Sequence, residues 1–447
     1  MSRQFLSPIK QADFTVGVRI GRVDLAVFTL PVLLFQAIEV AWRAYMPRFL
    51  NQDVGLTLAA IALILLGARL LDAFADLLLG WLSDMIHTPF GRRKPWMVAG
   101  TVLVAAGAPS LFMAPPGASM MWIAAACLLL HIGYSLIITP HGGWGLELSD
   151  DSHQRTRIMG AKVWFGLLGS LGLLAILAIL ERAFAISLRM EMRLLGWAIA
   201  ILAPLTVMAP ILLFRERVRA KSHVIKNPFA LTMQVAGDAA LRPLLLLYMV
   251  TGFADAAAAS SFLFLTEDVV GLRNWGATLM LIQPVAALIA LPFWSRLSRR
   301  MDRHHILMLS YSWQAACAAG LMLIPAGALP IFVAILAVKG LGWGVDFMLL
   351  RAMVADVAGK DADRAPLAAS FYGVTSVAVK LAMGMGSGAA LWFVGSAGDD
   401  TRHIAIRLAH CAPAVIGAVV ALFILRERAR KRGVRTDLRW TARADTV

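Results

Sequence analysis

The sequence predicts an all-α membrane protein whose twelve transmembrane helices form two six-helix halves. Three observations carry this. The 447-residue chain is 59% hydrophobic and only 15% charged, where a soluble domain is roughly 25% charged and 45–50% apolar. Apolar runs of roughly 18 residues or more, long enough to span a bilayer, follow one another along the chain. Lys and Arg gather in the short connections on alternate sides of those runs, the positive-inside pattern of multi-pass proteins.

The apolar runs place helices at roughly 25–47, 56–84, 96–114, 121–143, 159–181, 195–215, 241–265, 275–297, 305–327, 329–353, 367–395 and 404–425. On the first, Gln36, Glu39 and Arg43 recur at spacings of three and four, so they share a face. That face lines a cavity or holds a Glu39–Arg43 pair. The second carries Arg69, Asp72 and Asp76. The third and ninth end at the turn sequences Pro115-Pro116-Gly117 and Pro325-Ala326-Gly327. The fourth holds Tyr134 and Ser135, the fifth Lys162, the seventh Asp255. The tenth contains Asp346 and the run Gly340-Leu341-Gly342-Trp343-Gly344, which permits close packing or bending. The eleventh carries Lys380. The longest internal polar connection, 216–240, divides the helices six and six. The expected organisation is an N-terminal arm 1–24, halves at 25–215 and 241–425, the central loop between them, and a basic tail 426–447 that contacts anionic lipid headgroups.

The net charge of +15 does not point to nucleic acid, because the basic residues are sorted by side. Of the 42 Lys and Arg, 29 fall in the segments on the side of the termini, which places both termini in the cytoplasm and requires an even number of helices. Met1–Arg22 is polar and does not read as a cleavable signal. Cys127, Cys317 and Cys411 lie inside apolar segments as small buried groups. No metal motif and no nucleophile constellation appears, so an enzyme is not expected. His87, His131, His141 and His153 are scattered, and His141 beside Pro140 is the one histidine worth testing.

The chemistry concentrates on the second helix. Asp72 and Asp76 are four apart and Arg69 is three before Asp72, so all three share one face. Charges inside a span cost several kcal/mol and normally face a cavity and a partner. Two adjacent carboxylates cannot both ionise cheaply at low dielectric; they bind a cation or hold a proton. The alternative is a structural Arg69–Asp72 pair with Asp76 merely near the interface. The end of this helix, Gly80-Trp81-Leu82-Ser83-Asp84, and the following Gly91-Arg92-Arg93-Lys94 find a weak echo in Pro292-Phe293-Trp294-Ser295-Arg296 and Arg299-Arg300-Met301-Asp302-Arg303, at the same place in the second half. Two such halves match the major facilitator fold.

The segment from Arg69 to Trp96, followed by Thr139-Pro140, Glu147-Leu148-Ser149-Asp150-Asp151 and Arg155-Thr156-Arg157, resembles the glycoside–pentoside–hexuronide:cation symporters, the melibiose-permease-like family. The resemblance implies a cation-coupled transporter of a small glycoside, sugar or uronate working by alternating access. It implies that Asp72, Asp76 and Ser135 serve the cation, that Gln36, Tyr134, Lys162 and Lys380 line the substrate cavity, and that Arg69, Asp84, Arg92 and Arg93 gate or brace it. Leu77 stands where the family has proline, and Ala75 where it often has a polar cation ligand. Removing an oxygen ligand favours a proton over sodium, since hard cations need several oxygens. Gln36 stands in place of the family's first-helix aspartate and the fourth-helix aspartate falls near Ile138, which argues against a galactoside. Rival readings are a carrier of a lysolipid or other amphipathic anion, an exporter of drugs or metabolites, and a non-transporting receptor. The expected partners are a small-molecule substrate and membrane lipids, with no nucleic acid, no metal and no cofactor beyond H+ or Na+. The expected setting is a bacterial-type inner membrane, as a monomer.

Overall fold

The computed structural model describes residues 20–86, 88–148, 152–216, 228–358 and 368–431. Among them the regular structure is helical, with an isolated bridge between Thr88 and Gly91. Twelve long helical segments follow in chain order: α1 Arg22–Val54, α2 Leu58–Met85, α3 Lys94–Phe112, α4 Met120–Glu147, α5 Ser152–Phe184, α6 Leu188–Leu213, α7 Arg242–Val269, α8 Gly276–Arg300, α9 Arg303–Met322, α10 in two pieces, α11 Ala368–Ser396 and α12 Arg402–Lys431. Eleven of these are long and apolar enough to cross a bilayer. The exception is α9, whose apolar run is diluted by Arg303, His304, His305 and Gln314.

Local chemistry sets the ends. Proline stands in the first turns of α3 and α7, where its missing N–H is no loss. The Ser119 hydroxyl accepts the Trp122 N–H at 3.2 Å and opens α4. α1 is longer than its apolar run suggests, because two wide π-helical turns, Ala41–Tyr45 and Leu50–Val54, carry it past Pro47. Proline also sits inside α4, α6, α8 and α12, which membrane helices tolerate because neighbours satisfy the freed carbonyls.

Two expectations are corrected. The tenth helix is not continuous over 329–353. It runs Leu329–Leu341 and Val345–Ala358, broken where Gly344 adopts φ +78, a left-handed geometry that glycine reaches without strain. The expected central loop also contains a short helix, Pro228–Ala236, opened by a proline at its first position.

The chain forms two compact units. Unit 1 comprises Met1–Trp42, Phe74–Leu173 and Leu188–Pro228; unit 2 comprises Arg43–Ala73, Leu174–Ser187 and Phe229–Val447. In unit 1, α3 packs along α4 and α6. α5 turns Val163, Trp164, Leu168, Ile176 and Ile179 outward, the apolar exterior of a chain whose solvent is lipid. In unit 2, α7 packs along α11 and α12, over a core that includes Tyr248, Trp294, Tyr311, Leu350 and Phe371.

α7 and α11 approach so closely that a Cβ on Gly386 would lie 2.2 Å from the Phe253 carbonyl oxygen, the small-residue contact that drives helix association in lipid. Gly386→Val is therefore expected to cost about 1–3 kcal/mol and to lower the unfolding midpoint in detergent by several degrees. An unchanged midpoint would remove this contact from the account of stability.

Candidate functional site

In unit 1 a cluster of aromatic groups from α1 and α4 includes one ring, Phe28, that lies beneath a lysine of α5. Phe28 and Phe35 come from α1; Tyr134, His141 and Trp144 come from α4, seven and three residues apart and so on neighbouring turns of one flank. His141 stacks on Phe28 with centroids 4.8 Å apart, and one of its ring nitrogens lies 2.9 Å from the Phe28 carbonyl oxygen. Trp144 meets Phe28 edge-on at 5.5 Å, and Tyr134 meets Phe35 edge-on at 5.7 Å. From α5, Lys162 Nζ donates to the His141 carbonyl at 3.1 Å and lies 5.7 Å over the Phe28 ring. Gln36 lies against Gly166 and Gly169 of α5. The Tyr134 hydroxyl donates to Glu39 Oε1 at 3.4 Å. Three of the four predicted cavity residues, Gln36, Tyr134 and Lys162, therefore belong to one set. Of the tryptophans, Trp144 joins it, Trp164 lies outward on α5, and Trp343 is exposed beside the break in α10.

A second polar group lies where α2 meets α4. Thr139 Oγ1 donates to Asp76 Oδ1 at 2.9 Å. Ser135 is one turn before Thr139, hence on the same face, and its hydroxyl is buried without a hydrogen-bond partner. Asp76 and Thr139 therefore form a direct contact between α2 and α4, with Ser135 one turn along α4. Sequence reasoning placed Thr139 in a motif but gave it no ligand role, because its nearness to Asp76 is a contact 63 residues apart.

Unit 2 accounts for the other span charges. Arg69 Nη1 pairs with Asp72 Oδ2 at 3.3 Å, and Asp72 is fully buried. The Glu39–Arg43 pair is not formed: Arg43 pairs with Asp255 of α7. Arg48 holds Asp268 Oδ1 at 2.6 Å and Glu267 at 3.1 Å, and the Glu181 carboxylate caps α8 by accepting the Gly276 and Ala277 N–H groups at 2.6 and 3.0 Å. Lys380 is half-buried on α11. Among the predicted bracing residues, Arg92 is half-buried, while the Arg93 N–H donates to Glu216 at 2.8 Å, next to Lys94 Nζ on the Phe214 carbonyl at 2.6 Å. The basic cluster is thereby anchored to the end of α6. The Asp84 side chain, those of Glu147 and Arg155, and residues Ser149–Asp151 lie outside the described residues. The described residues contain no group of three or more His, Cys, Asp or Glu placed to hold a metal.

The family described as MFS/sugar transport protein matches residues 27–425. The chain belongs to that family. Its members are membrane transporters rather than enzymes, and this one is a multi-pass protein that meets a small-molecule substrate and lipid. The chain is 21% identical over 323 residues to a glucuronide carrier protein homologue of Escherichia coli K12, covering 70% of this chain and 69% of that one. It is 29% identical over 158 residues to a lactose permease of Lactobacillus helveticus, covering 33% of this chain. A match to an uncharacterised symporter of Synechocystis shows 23% identity over 172 residues and covers 36% of this chain. The chain spans only 25% and 30% of the length of these last two relatives. Among solved structures, the nucleoside transporter NupG superimposes with TM-score 0.65 at 13% identity, covering 90% of this chain and 99% of its own. A bacterial homologue of the human lysosomal transporter Spinster, inward-facing and unoccupied, gives 0.65 at 12%, covering 93% and 98%. At such identities the likeness concerns the fold alone, and it agrees with the major facilitator architecture read from the sequence.

The Arg69–Asp72 pair of this transporter makes a testable statement. Removing one partner of a buried ion pair takes away compensation for the other charge and is destabilising. Arg69→Gln should destabilise strongly, and the double variant with Asp72→Asn should recover most of the loss in thermal unfolding. A double variant no better than the single one would show that Arg69 matters for packing alone.

Proposed function

We propose that this chain is a proton-coupled secondary transporter of a carboxylated sugar, a hexuronate or its glycoside, with both termini in the cytoplasm of a bacterial-type inner membrane. The observation that carries the substrate class is the Lys162 amine, which lies over the Phe28 ring and donates to the His141 carbonyl, with His141 and Trp144 packed on that same Phe28 ring. Sugar rings present apolar C–H faces that pack on aromatic rings. A carboxylate brought beside Nζ favours its ammonium form and gains a charge-assisted hydrogen bond. Gln36 and the Tyr134 hydroxyl offer neutral donors and acceptors for ring hydroxyls. Among the relatives, the glucuronide carrier homologue shares the longest match reported above, which agrees with an acidic sugar.

The proton reading rests on Asp76, whose carboxylate accepts from the Thr139 hydroxyl, and on Ala75, which brings no side-chain oxygen beside it. Sodium, a hard cation, is held by several oxygens at once, whereas a proton needs one carboxylate. Neutralising Asp76 removes a charge that is costly to carry through the bilayer, so proton and substrate together lower the barrier to reorientation between the two access states.

A second reading draws on a cavity of about 540 Å³ in unit 2, lined by Phe253, Met385, Phe393, Ile416 and other apolar groups of α7, α11 and α12. It suits an acyl chain and keeps a lysolipid substrate in view.

Thermal stabilisation by glucuronate, galacturonate, the matching neutral hexoses and a lysolipid separates these readings. Stabilisation by the hexuronates, reduced about tenfold in apparent affinity by Lys162→Met, a change of ~1.4 kcal/mol, is the expected result. A response to the lysolipid alone would overturn it. In proteoliposomes, Asp76→Asn should abolish uptake driven by a pH gradient while leaving substrate exchange at equilibrium. Full-rate gradient-driven uptake by that variant would remove Asp76 from the coupling site.

A further inference from the structure

The groove of about 540 Å³ between α7, α11 and α12 belongs to neither the Lys162 group nor the α2 carboxylates. Its lining is apolar, and much of it is small: Ala257 of α7, Ala382 and Ala389 of α11, Ala409 and Ala412 of α12. α11 turns Gly384 and Gly388 to Arg69 and Ala62 of α2, so Met385, Ala389 and Phe393, on its opposite flank, face away from that neighbour. Met385, Phe393 and Ile416 are exposed, apolar surface that suits hydrocarbon. Small residues between membrane helices usually serve close approach, as Gly386 does against Phe253. The alanines here leave room instead, and a void forfeits the dispersion contacts that an occupant makes.

Two contacts fix the register of the walls. A Cβ on Gly417 of α12 would lie 3.0 Å from the Val250 side chain of α7, and His410 Nδ1 of α12 lies 3.2 Å from the Ser261 hydroxyl of α7. The two helices therefore run antiparallel. From the Val250–Gly417 contact, moving away from Ser261, Arg242 lies eight residues along α7 and Arg426 nine along α12, about 12 and 14 Å at 1.5 Å per residue. The arginines thus stand at one level, beyond the same end of the groove. Both are exposed, and among the described residues neither side chain makes a hydrogen bond or ion pair. Apolar surface leads to them from the groove. Leu246 lies between Arg242 and Met249 on one face of α7, and Phe423 follows Ile416 by two turns of α12; they are 51% and 69% exposed. Of the nearby carboxylates, Glu427 accepts from Arg430 at 3.4 Å, and Asp238 from the Ala240 and Leu241 N–H groups at 2.8 and 3.2 Å. The mouth of the groove keeps a net positive charge.

We propose that this groove binds one anionic phospholipid, its acyl chain lying along α11 and α12 over α7 and its phosphate held by Arg242 and Arg426. The length fits. On α12 the lining runs from Leu408 to Val420, about 18 Å, a little over half of a hydrocarbon core of ~30 Å and so the depth of one leaflet. The charge fits as well. A basic mouth at the end of membrane helices attracts anionic headgroups, and a guanidinium meets a phosphate with paired, charge-assisted hydrogen bonds. A neutral headgroup brings no net charge to the arginines, and free phosphate brings nothing to the groove. The occupant is a resident of the fold rather than cargo: it fills the space beside three packed helices and stabilises the folded state by binding it. The assignment uses no residue of the Lys162 group, so it stands or falls apart from the hexuronate reading.

The full chain, stripped of lipid in detergent, can be titrated with phosphatidylglycerol or phosphatidylcholine of the same acyl chains, with retained lipid counted by native mass spectrometry. Phosphatidylglycerol should bind about tenfold more tightly than phosphatidylcholine, and Arg242→Gln with Arg426→Gln should bring it down to the phosphatidylcholine level. Ala389→Leu with Ala412→Leu, which fills the groove, should weaken both lipids. Thermal unfolding without lipid first establishes that each variant folds. Where the double leucine variant does not, Ala389→Leu alone replaces it, and the arginine variant, at exposed positions, decides in either case. Equal affinity for the two lipids, or phosphatidylglycerol binding indifferent to the arginines, overturns the headgroup site. Full retention of phosphatidylglycerol by a folded, groove-filled variant overturns the groove, and so does inorganic phosphate that displaces the lipid at equal concentration. If hexuronates are not carried at all, the substrate reading falls while these lipid titrations still decide the groove.

Discussion

The high cost of an ionised side chain in hydrocarbon governs this molecule more than any other constraint. Each charge placed in a span must be paired, hydrogen-bonded or put to use. Arg69 answers to Asp72, Arg43 to Asp255, Arg48 to Asp268 and Glu267, and Asp76 to Thr139. Removing any of these partners leaves a charge that lipid cannot solvate. The helices are held to particular neighbours by these contacts as well as by small-residue packing, since between membrane helices the hydrophobic effect offers little discrimination.

The same constraint separates structural charges from functional ones. Asp72 is fully buried and accepts from the arginine one turn before it on its own helix, a contact that any motion of α2 as a rigid body preserves. Asp76 draws its hydrogen bond from a different helix, and such a contact changes when helices shift. Arg43–Asp255 and Arg48–Asp268 likewise join α1 to α7, elements far apart in sequence, and are contacts that a helix movement can make or break.

Much of the fold was legible in the sequence because spanning length, loop charge and turn residues are local signals. The break in α10 announced itself only as a run of glycines, whose reading as packing or bending was open until Gly344 took a positive φ. Within the candidate site, Gln36, Tyr134 and Lys162 were found by resemblance, and His141 by its place beside a proline. What stayed out of reach was the choice among partners. Arg43 has Glu39 one turn away, yet it reaches Asp255 across 212 positions, and Glu39 receives the Tyr134 hydroxyl instead. Helical periodicity gives the face a residue occupies, and which helix lies opposite that face is set by tertiary packing. The contact of Thr139 with Asp76 escaped notice for the same reason, since the two lie 63 positions apart.

A transporter that couples two movements must also avoid leaking either one, and the distribution of polar groups bears on this. The Asp76–Thr139 contact joins α2 to α4, and the Arg43–Asp255 contact joins α1 to α7. A carboxylate held in this way cannot give up that partner without a movement of the helices, so its state and their positions depend on each other. The first piece of α10 ends at Leu341, and the second opens with Val345 and Asp346, whose Oδ1 accepts the Phe347 N–H at 3.0 Å. A short helical piece of this kind can shift on its glycines without bending a whole span, which gives the fold a place to move that leaves the ion pairs of the neighbouring helices intact.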